Sequence, residues 1–265
     1  MRIRCRHAFA MLCGAAMSIV APACESADVP PAATVAAWVK GQIDDGRLIV
    51  EFYDPAKPPK PYPGWTEFEF RLDFQFEYKT EPLRKKKGAR PGPVIVNLNY
   101  TKIDVPIKHR MQLPKTLEAE RWYEAGLARH ELDHVRVGLH PRLAMLGKHL
   151  VQRVNRFERS ADAVGDVTAE WVKARIDAEL GARRDAILAL VLGINQKIDK
   201  LTDHGATPLP NREEFLAGLF LKENLDEMKF TYLPEVLDII NTRDYQQTRI
   251  LSREVDVELT QPSKN

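Results

Sequence analysis

In "TEFEFRLDFQFEYK", residues 66–79, apolar and polar positions alternate without interruption. Phe68, Phe70, Leu72, Phe74, Phe76 and Tyr78 fall on one side, and Glu67, Glu69, Arg71, Asp73, Gln75 and Glu77 on the other. A period of two predicts a strand with one buried face and one wet face. "VIVNLNY", 94–100, repeats the alternation through Val94, Val96, Leu98 and Tyr100, and "RLIVEFYD", 47–54, is apolar and β-prone. The charged stretch "EPLRKKKGARPG" between the first two reads as an exposed hairpin loop, with Arg84–Lys87 solvated. "PAKPPKPYPG" cannot enter a sheet interior, because proline brings no donor to the ladder.

From Thr116 the period becomes helical. Thr116 is the expected N-cap, Glu118 and Glu120 suit the positive helix start, and the pattern runs from Leu117 through at least Val137. A second helical stretch extends from about Leu143 to Leu201, long enough that breaks are expected near Gly165, Gly181 or Gly193. After "TDHGATPLPN" come one helix over "REEFLAGLFLKENLDEM" and a weaker apolar segment, "FTYLPEVLDII". Strands first and helices after predict an α+β fold with an N-terminal antiparallel sheet.

Composition adds little until the N-terminus is considered. The 265 residues carry 39 basic and 37 acidic side chains, a balance that gives no reason to expect a nucleic-acid partner. The first residues are different: Arg2, Arg4 and Arg6, then an apolar run from Ala8 to Ala21, then small residues at Ala21, Ala23 and Ala27. That is the layout of a signal peptide over residues 1–27, with an apolar run too short to span a membrane. The chain is therefore expected to be periplasmic or secreted, with no transmembrane segment once the leader is removed. Cys5, Cys13 and Cys24, the three cysteines, all lie in the leader, so no internal disulfide is expected. "APAC" lacks the leucine usual in a lipoprotein box, which argues against a lipid anchor at Cys24. Residues 28–45 read as a tether with at most one helical turn around Ala36–Val39, 46–207 as the main domain, and 208–265 as a mostly helical C-terminal extension.

The chemistry concentrates in "EAGLARHELDHVRVGLHPRL", 124–143, which holds three of seven histidines. His130, Glu131 and His134 form H-E-x-x-H on the expected helix. Both imidazoles leave one helical face and can meet one cation, with Glu131 beside it as a general base. Nitrogen donors and an open fourth position suit zinc. A third ligand is needed, and the residues alone leave several choices. His140 follows His134 by six positions but points away if the helix continues. Glu158, Glu170 and Glu179 lie on later segments, and His204 lies in "DKLTDHG". No P-loop, dinucleotide fingerprint or serine nucleophile elbow is present, and His109 and His149 read as exposed structural histidines.

"RWYEAGLARHELDH", Arg121–His134, and "DKLTDHG", Asp199–Gly205, preceded by aromatic alternating strands, together resemble the bacterial predicted secreted zinc-dependent proteases, a family of unknown function. The resemblance covers roughly residues 45–207. It implies a zincin-like fold and makes His204 the third zinc ligand with His130 and His134, its ring oriented by Asp199 or Asp203. It also implies hydrolysis of peptide bonds in a peptide or protein substrate of the cell envelope, with Glu131 catalytic and the peptide aligned on an exposed strand edge such as that of residues 94–100. The alternative is a non-catalytic, metal-binding envelope protein that acts by protein–protein binding.

Overall fold

The computed structural model describes residues 32–82, 93–159 and 167–248. The leader, the basic stretch Arg84–Lys87, Gly165 and the last 17 residues lie outside the described residues. The segment expected as a tether forms helix α1, Ala32–Asp44. Val39 is buried in the core, and Trp38 lies against the Arg136 guanidinium at 5.4 Å, so apolar contacts anchor a longer helix than one turn. Strand β1 follows at Leu48–Tyr53.

The uninterrupted alternation at 66–79 divides into two strands, β2 (Trp65–Phe70) and β3 (Asp73–Pro82). β4 (Val94–Asp104) and β5 (Ile107–Pro114) return antiparallel to them. The register carries across the gap unchanged, Phe70 opposing Ile107 and Asp73 opposing Asp104. Pro106, without an N–H, stands at that gap, and the ribbon parts there into two sheets. The first sheet has the order β1-β5-β2, and the second has β3-β4-β6, with β6 at Arg156–Arg159. The expectation of a wholly antiparallel sheet is corrected at β1, which runs parallel to β5. The proline-rich connection carries the chain past β5, so that β1 and β2 flank it.

The first helix of the H-E-x-x-H region starts later than Thr116. Two 3-10 turns, Lys115–Leu117 and Trp122–Glu124, precede α2, Gly126–Gly138, and Ala125 rather than Thr116 is its N-cap. Trp122 and Tyr123 pack edge to face against each other and on the core, which holds this segment out of the helix. α3 spans Pro141–Arg153 and α4 spans Ala169–Thr202. α4 is 34 residues long, about 51 Å, and passes Gly181 and Gly193 without a break. The interruption falls instead at Val154–Asn155 and β6. Four short helices close the described residues: α5 (Arg212–Ala217), α6 (Lys222–Glu227), α7 (Leu233–Ile240) and α8 (Arg243–Gln247). The single helix expected over 212–228 is split at the buried Phe220, whose φ of 61° lies in the left-handed region.

Two cores result. The larger joins the first sheet, α2, α3 and the C-terminal half of α4; the smaller joins the second sheet, the end of α3 and the N-terminal half of α4. Leu209, Leu216, Leu219, Phe220, Leu225, Phe230, Val236, Ile240 and Tyr245 belong to the larger core. Residues 209–248 are thus packed into the body of the fold. The fully buried Arg142 binds them by donating to the carbonyls of Ala217 (2.7 Å), Leu219, Tyr245 and Gln246 (3.0 Å each). Among the described residues no helix is long and apolar enough to cross a membrane.

Candidate metal centre

α2 packs between β2 and β5 on one side and α4 on the other. Its four-residue spacing brings His130 and His134 onto the face toward α4, with ring centroids 4.6 Å apart. α4 meets them with Asn195, Asp199 and Thr202, spaced four and three apart and so on one helical face. His130 Nε2 and His134 Nε2 stand 3.2 Å apart, and Asp199 Oδ1 lies 3.2 Å from the first and 3.1 Å from the second. All three residues are buried. Two atoms bound to zinc at ~2.0–2.1 Å in tetrahedral geometry stand roughly 3.3 Å apart, so this triangle has the size of a metal's ligand face.

The outer nitrogens decide what the inner ones can do. Thr202 Oγ1 donates to the Ile198 carbonyl at 2.9 Å, which leaves its lone pairs for the His130 ring at Nδ1, 3.3 Å away, and for the Gly205 N–H at 3.1 Å. His130 Nδ1 is therefore the protonated nitrogen. His134 Nδ1 lies 3.1 Å from Asn195 Oδ1 and donates to it. Both Nε2 atoms then turn lone pairs toward Asp199 and toward each other. Three lone pairs converging in a buried space need a proton or a cation between them. The donor set, two imidazole nitrogens and one carboxylate oxygen, fits a divalent metal.

Without a metal, a proton fills part of that role. Burial would lower the pKa of His134, but hydrogen bonds to Asp199 and Asn195 and the charges of Glu131 and Asp199 outweigh it and raise the value to about 8. For Asp199 burial acts upward, and the two histidines hold the carboxyl down at about 2. Glu131 is also buried, and desolvation raises its pKa against the pull of His134, His130 and Thr66. Thr66 on β2 donates to Glu131 Oε2 at 2.8 Å, which fixes the carboxyl and leaves Oε1 uncommitted to Thr66.

An open cavity of about 60 Å³ holds these groups. Tyr62, Trp65, Thr66 and Phe68 line one side, and Asn195, Asp199 and His204 the other. His130, His134 and Glu131 therefore come together as the motif implies, and Asp199 stands at the third corner of the cluster. His204 lines the same cavity but is exposed and is not one of the three converging groups. It follows Asp203 in a helix end where both residues have positive φ, and Gly205 comes next at 85°. A Cβ at Gly205 would stand 2.9 Å from His130 Cγ, so this turn lies directly on the His130 ring.

The other sequence candidates lie elsewhere. His140 is buried as the N-cap of α3, its Nδ1 accepting from the Arg142 N–H at 3.2 Å and its ring set against Phe220. Glu158 and Glu170 are exposed, and Glu179 pairs with Arg175 and Arg183. Asp133 accepts from Arg212 Nε at 2.6 Å, which ties α2 to α5. His149 is half-buried, against the Glu235 carbonyl and Asp238. His109, expected to be exposed, is buried in the first sheet and lines the cavity. The strand edge expected at 94–100 is closed, because residues 94–97 of β4 pair with β3 on one side and β6 on the other. β2 is the edge strand beside the cavity.

Asn195 and Thr66 carry no role in the sequence reading, and Thr202 enters it only as part of "DKLTDHG". Asn195 and Thr202 were detectable as polar positions inside the apolar stripe of Val191, Ile194 and Ile198; Thr66, a threonine in a strand, carries no such mark. Comparison of the chain with models of protein families, with curated proteins and with solved structures finds no match.

Proposed function

We propose that the chain is a zinc-dependent hydrolase of peptide bonds, held by His130, His134 and Asp199 and using Glu131 as general base. One observation carries this: two Nε2 lone pairs and a carboxylate converge at 3.1–3.2 Å beside a buried glutamate on the wall of an open cavity. Bound there, zinc would act as a Lewis acid and bring the pKa of a water down to about 7.

The chain's own groups account for the rest. Thr202 and Asn195 hold the two imidazoles in the ligating tautomer. Thr66 keeps one carboxyl oxygen of Glu131 occupied, so the other can take a proton from the attacking water and pass it to the leaving amine. Burial raises the pKa of Glu131 and so strengthens it as a base. β2, with Trp65, Thr66 and Phe68 on the cavity, offers an unpaired edge on which an extended peptide can lie. With the leader expected at residues 1–27, the proposed substrate is a peptide or protein of the cell envelope.

Metal analysis of the purified chain should find about one zinc per molecule, and mass spectrometry of an incubated peptide mixture should show cleavage. Glu131→Gln should keep the zinc and stop the cleavage. Absence of stoichiometric metal defeats the proposal. Metal without cleavage by the wild type leaves a metal-binding envelope protein instead.

A further inference from the structure

His204 stands where α4 ends at the cavity, in a strained turn. Asp203, His204 and Gly205 have φ of 48°, 53° and 85°, three left-handed residues in a row. One such residue commonly ends a helix, and glycine commonly fills it. A β-carbon crowds the following carbonyl in that region, so Asp203 and His204 are both strained. Three hydrogen bonds fasten the turn. The His204 N–H donates to the Asp199 carbonyl at 2.8 Å, the Gly205 N–H to Thr202 Oγ1 at 3.1 Å, and the Thr207 N–H to the Thr202 carbonyl at 2.8 Å. Asp199 is a corner of the converging triangle and Thr202 meets the His130 ring, so the turn that bears His204 is fixed to that triangle. Strain of this kind persists where the surroundings over-determine it, and such places collect at working sites.

The ring that this turn presents is exposed, lines the cavity and makes no hydrogen bond among the described residues. Most other side-chain donors on the cavity are committed or shut off. Thr66 donates to Glu131, and Asn195 faces His134 Nδ1. The Trp65 indole N–H and both His109 nitrogens are sealed from solvent without a partner. Tyr62 and His204 remain. Tyr62 is buried and belongs to the wall of Trp65 and Thr66, the wall to which Glu131 is bonded. His204 belongs to the wall across from it.

Peptide hydrolysis has a need that this position meets. As the water oxygen bonds to the carbonyl carbon, Glu131 takes the water's proton and the π pair of the C=O bond moves onto the carbonyl oxygen. The water lies on Glu131, so attack comes from that wall, and the Glu131 carboxylate repels the oxygen that is gaining charge toward the other. When the C–N bond breaks, the pair returns to the C=O bond and the amine leaves with the proton that Glu131 held. An imidazole carries an N–H in either protonation state. A donor aimed at the developing charge stabilises the transition state more than the ground state.

We propose that His204 is a catalytic residue whose ring N–H donates to the carbonyl oxygen as that oxygen becomes an anion. Asp199 takes the ligand corner that the family resemblance implied for His204, which leaves the ring to this task. The role in turnover rests on the hydrolytic reading above; a donor for a tetrahedral anion on the wall opposite Glu131 does not.

The test compares the zinc-loaded full chain with His204→Leu and His204→Gln. Both variants set a β-carbon in the same left-handed turn and only glutamine keeps an N–H, so their difference reads the donor. Both should hold about one zinc. In His204→Leu kcat should fall about 10²–10³-fold with KM nearly unchanged, and His204→Gln should recover part of the rate. Methylphosphonate, a tetrahedral anion shaped like the attacked carbonyl, should bind the wild type about 10–100-fold more tightly than His204→Leu in calorimetry, the worth of a hydrogen bond to a charged group. Loss of zinc in His204→Leu would make the residue a ligand and overturn the proposal. An unchanged kcat, a change confined to KM, or equal affinities for methylphosphonate would overturn it too. Should His204→Leu fail to fold, nitrogen NMR of the wild type decides, and His204 ring signals that stand still under methylphosphonate are fatal. A chain that binds methylphosphonate through His204 yet cleaves no peptide keeps the donor and loses the hydrolytic reading. One whose His204→Leu form cleaves as fast as the wild type keeps hydrolysis and loses this role, and one that takes up no zinc loses both.

Discussion

The two cores of this molecule share a ribbon and a helix, yet they are filled differently. β3 and β4 continue β2 and β5 in the same register as far as a bulge at Gln75/Phe76, and α4 runs over both sheets. In the smaller core the buried apolar side chains are Val96, Val151, Val154, Val172, Ile176 and Leu180, all aliphatic. Arg159, buried beside it, rests on the Trp171 ring at 5.2 Å. The larger core surrounds His109, His130, Glu131, His134, Asp199 and Thr202, all buried. Desolvating such groups is costly, and the smaller core shows that the same two elements pack without them. Buried imidazoles and carboxylates thus converge at one end of the shared scaffold, where α2 meets α4, and that is the end the proposed function uses.

Substitutions should separate the two ends. The largest effect is expected from Asp199→Ala or His134→Ala. Each removes one corner of the converging triangle, and metal analysis should find close to none bound, with hydrolysis lost alongside. Either variant retaining stoichiometric metal would remove its residue from the site. Ile176→Ala, at the other end, should do the opposite. It opens a cavity in an aliphatic core and should cost about 2–5 kcal/mol in denaturant unfolding, while bound metal stays at the wild-type level. Loss of metal in that variant would mean that the ends are coupled through α4.

A smaller effect should follow from Thr202→Val, which keeps the shape and removes the acceptor for His130 Nδ1. Losing the group that fixes a ligand's tautomer typically costs about 10–100-fold in metal affinity, measurable by competition with a chelator. Affinity equal to the wild type would show that the helix alone orients the ring.

The sequence made the division into strands and helices legible, and also the motif, because each is written in local spacing. The alternation of Phe68 to Tyr78 gave the strands but not their parting, which turns on Pro106 some 30 residues away. His130 and His134 were legible because they share one helix. Asp199 was named only as a neighbour to orient His204, and its place at the centre depends on how α4 crosses α2, a packing fact with no local signature. His109 was read as exposed because Lys108 and Arg110 flank it. In a strand the neighbours face the opposite side, and the alternating burial of Ile107, His109, Met111 and Leu113 was the better guide.

The smallest effect distinguishing the ends is a slope with pH. In the metal-free chain His134 keeps its proton up to about pH 8, above its ordinary 6.5, while Asp199, held at about 2, is already ionised. A metal entering below pH 8 must displace that proton, so its apparent affinity should rise about tenfold per pH unit and level off above 8. Stability of the metal-free chain should run the other way. A histidine whose folded pKa lies above its unfolded value contributes in full below 6.5 and loses that contribution as pH rises through 8. Calorimetric titrations with zinc and melting curves of the chelated chain, both between pH 6 and 9, give the two slopes. They should be opposite in sign and centred in the same window, because metal and proton compete for the same Nε2 lone pair. His134→Ala should flatten the melting slope, and Ile176→Ala should lower the whole curve without changing its shape. A metal affinity that does not change across that window would mean that the metal does not bind at His134.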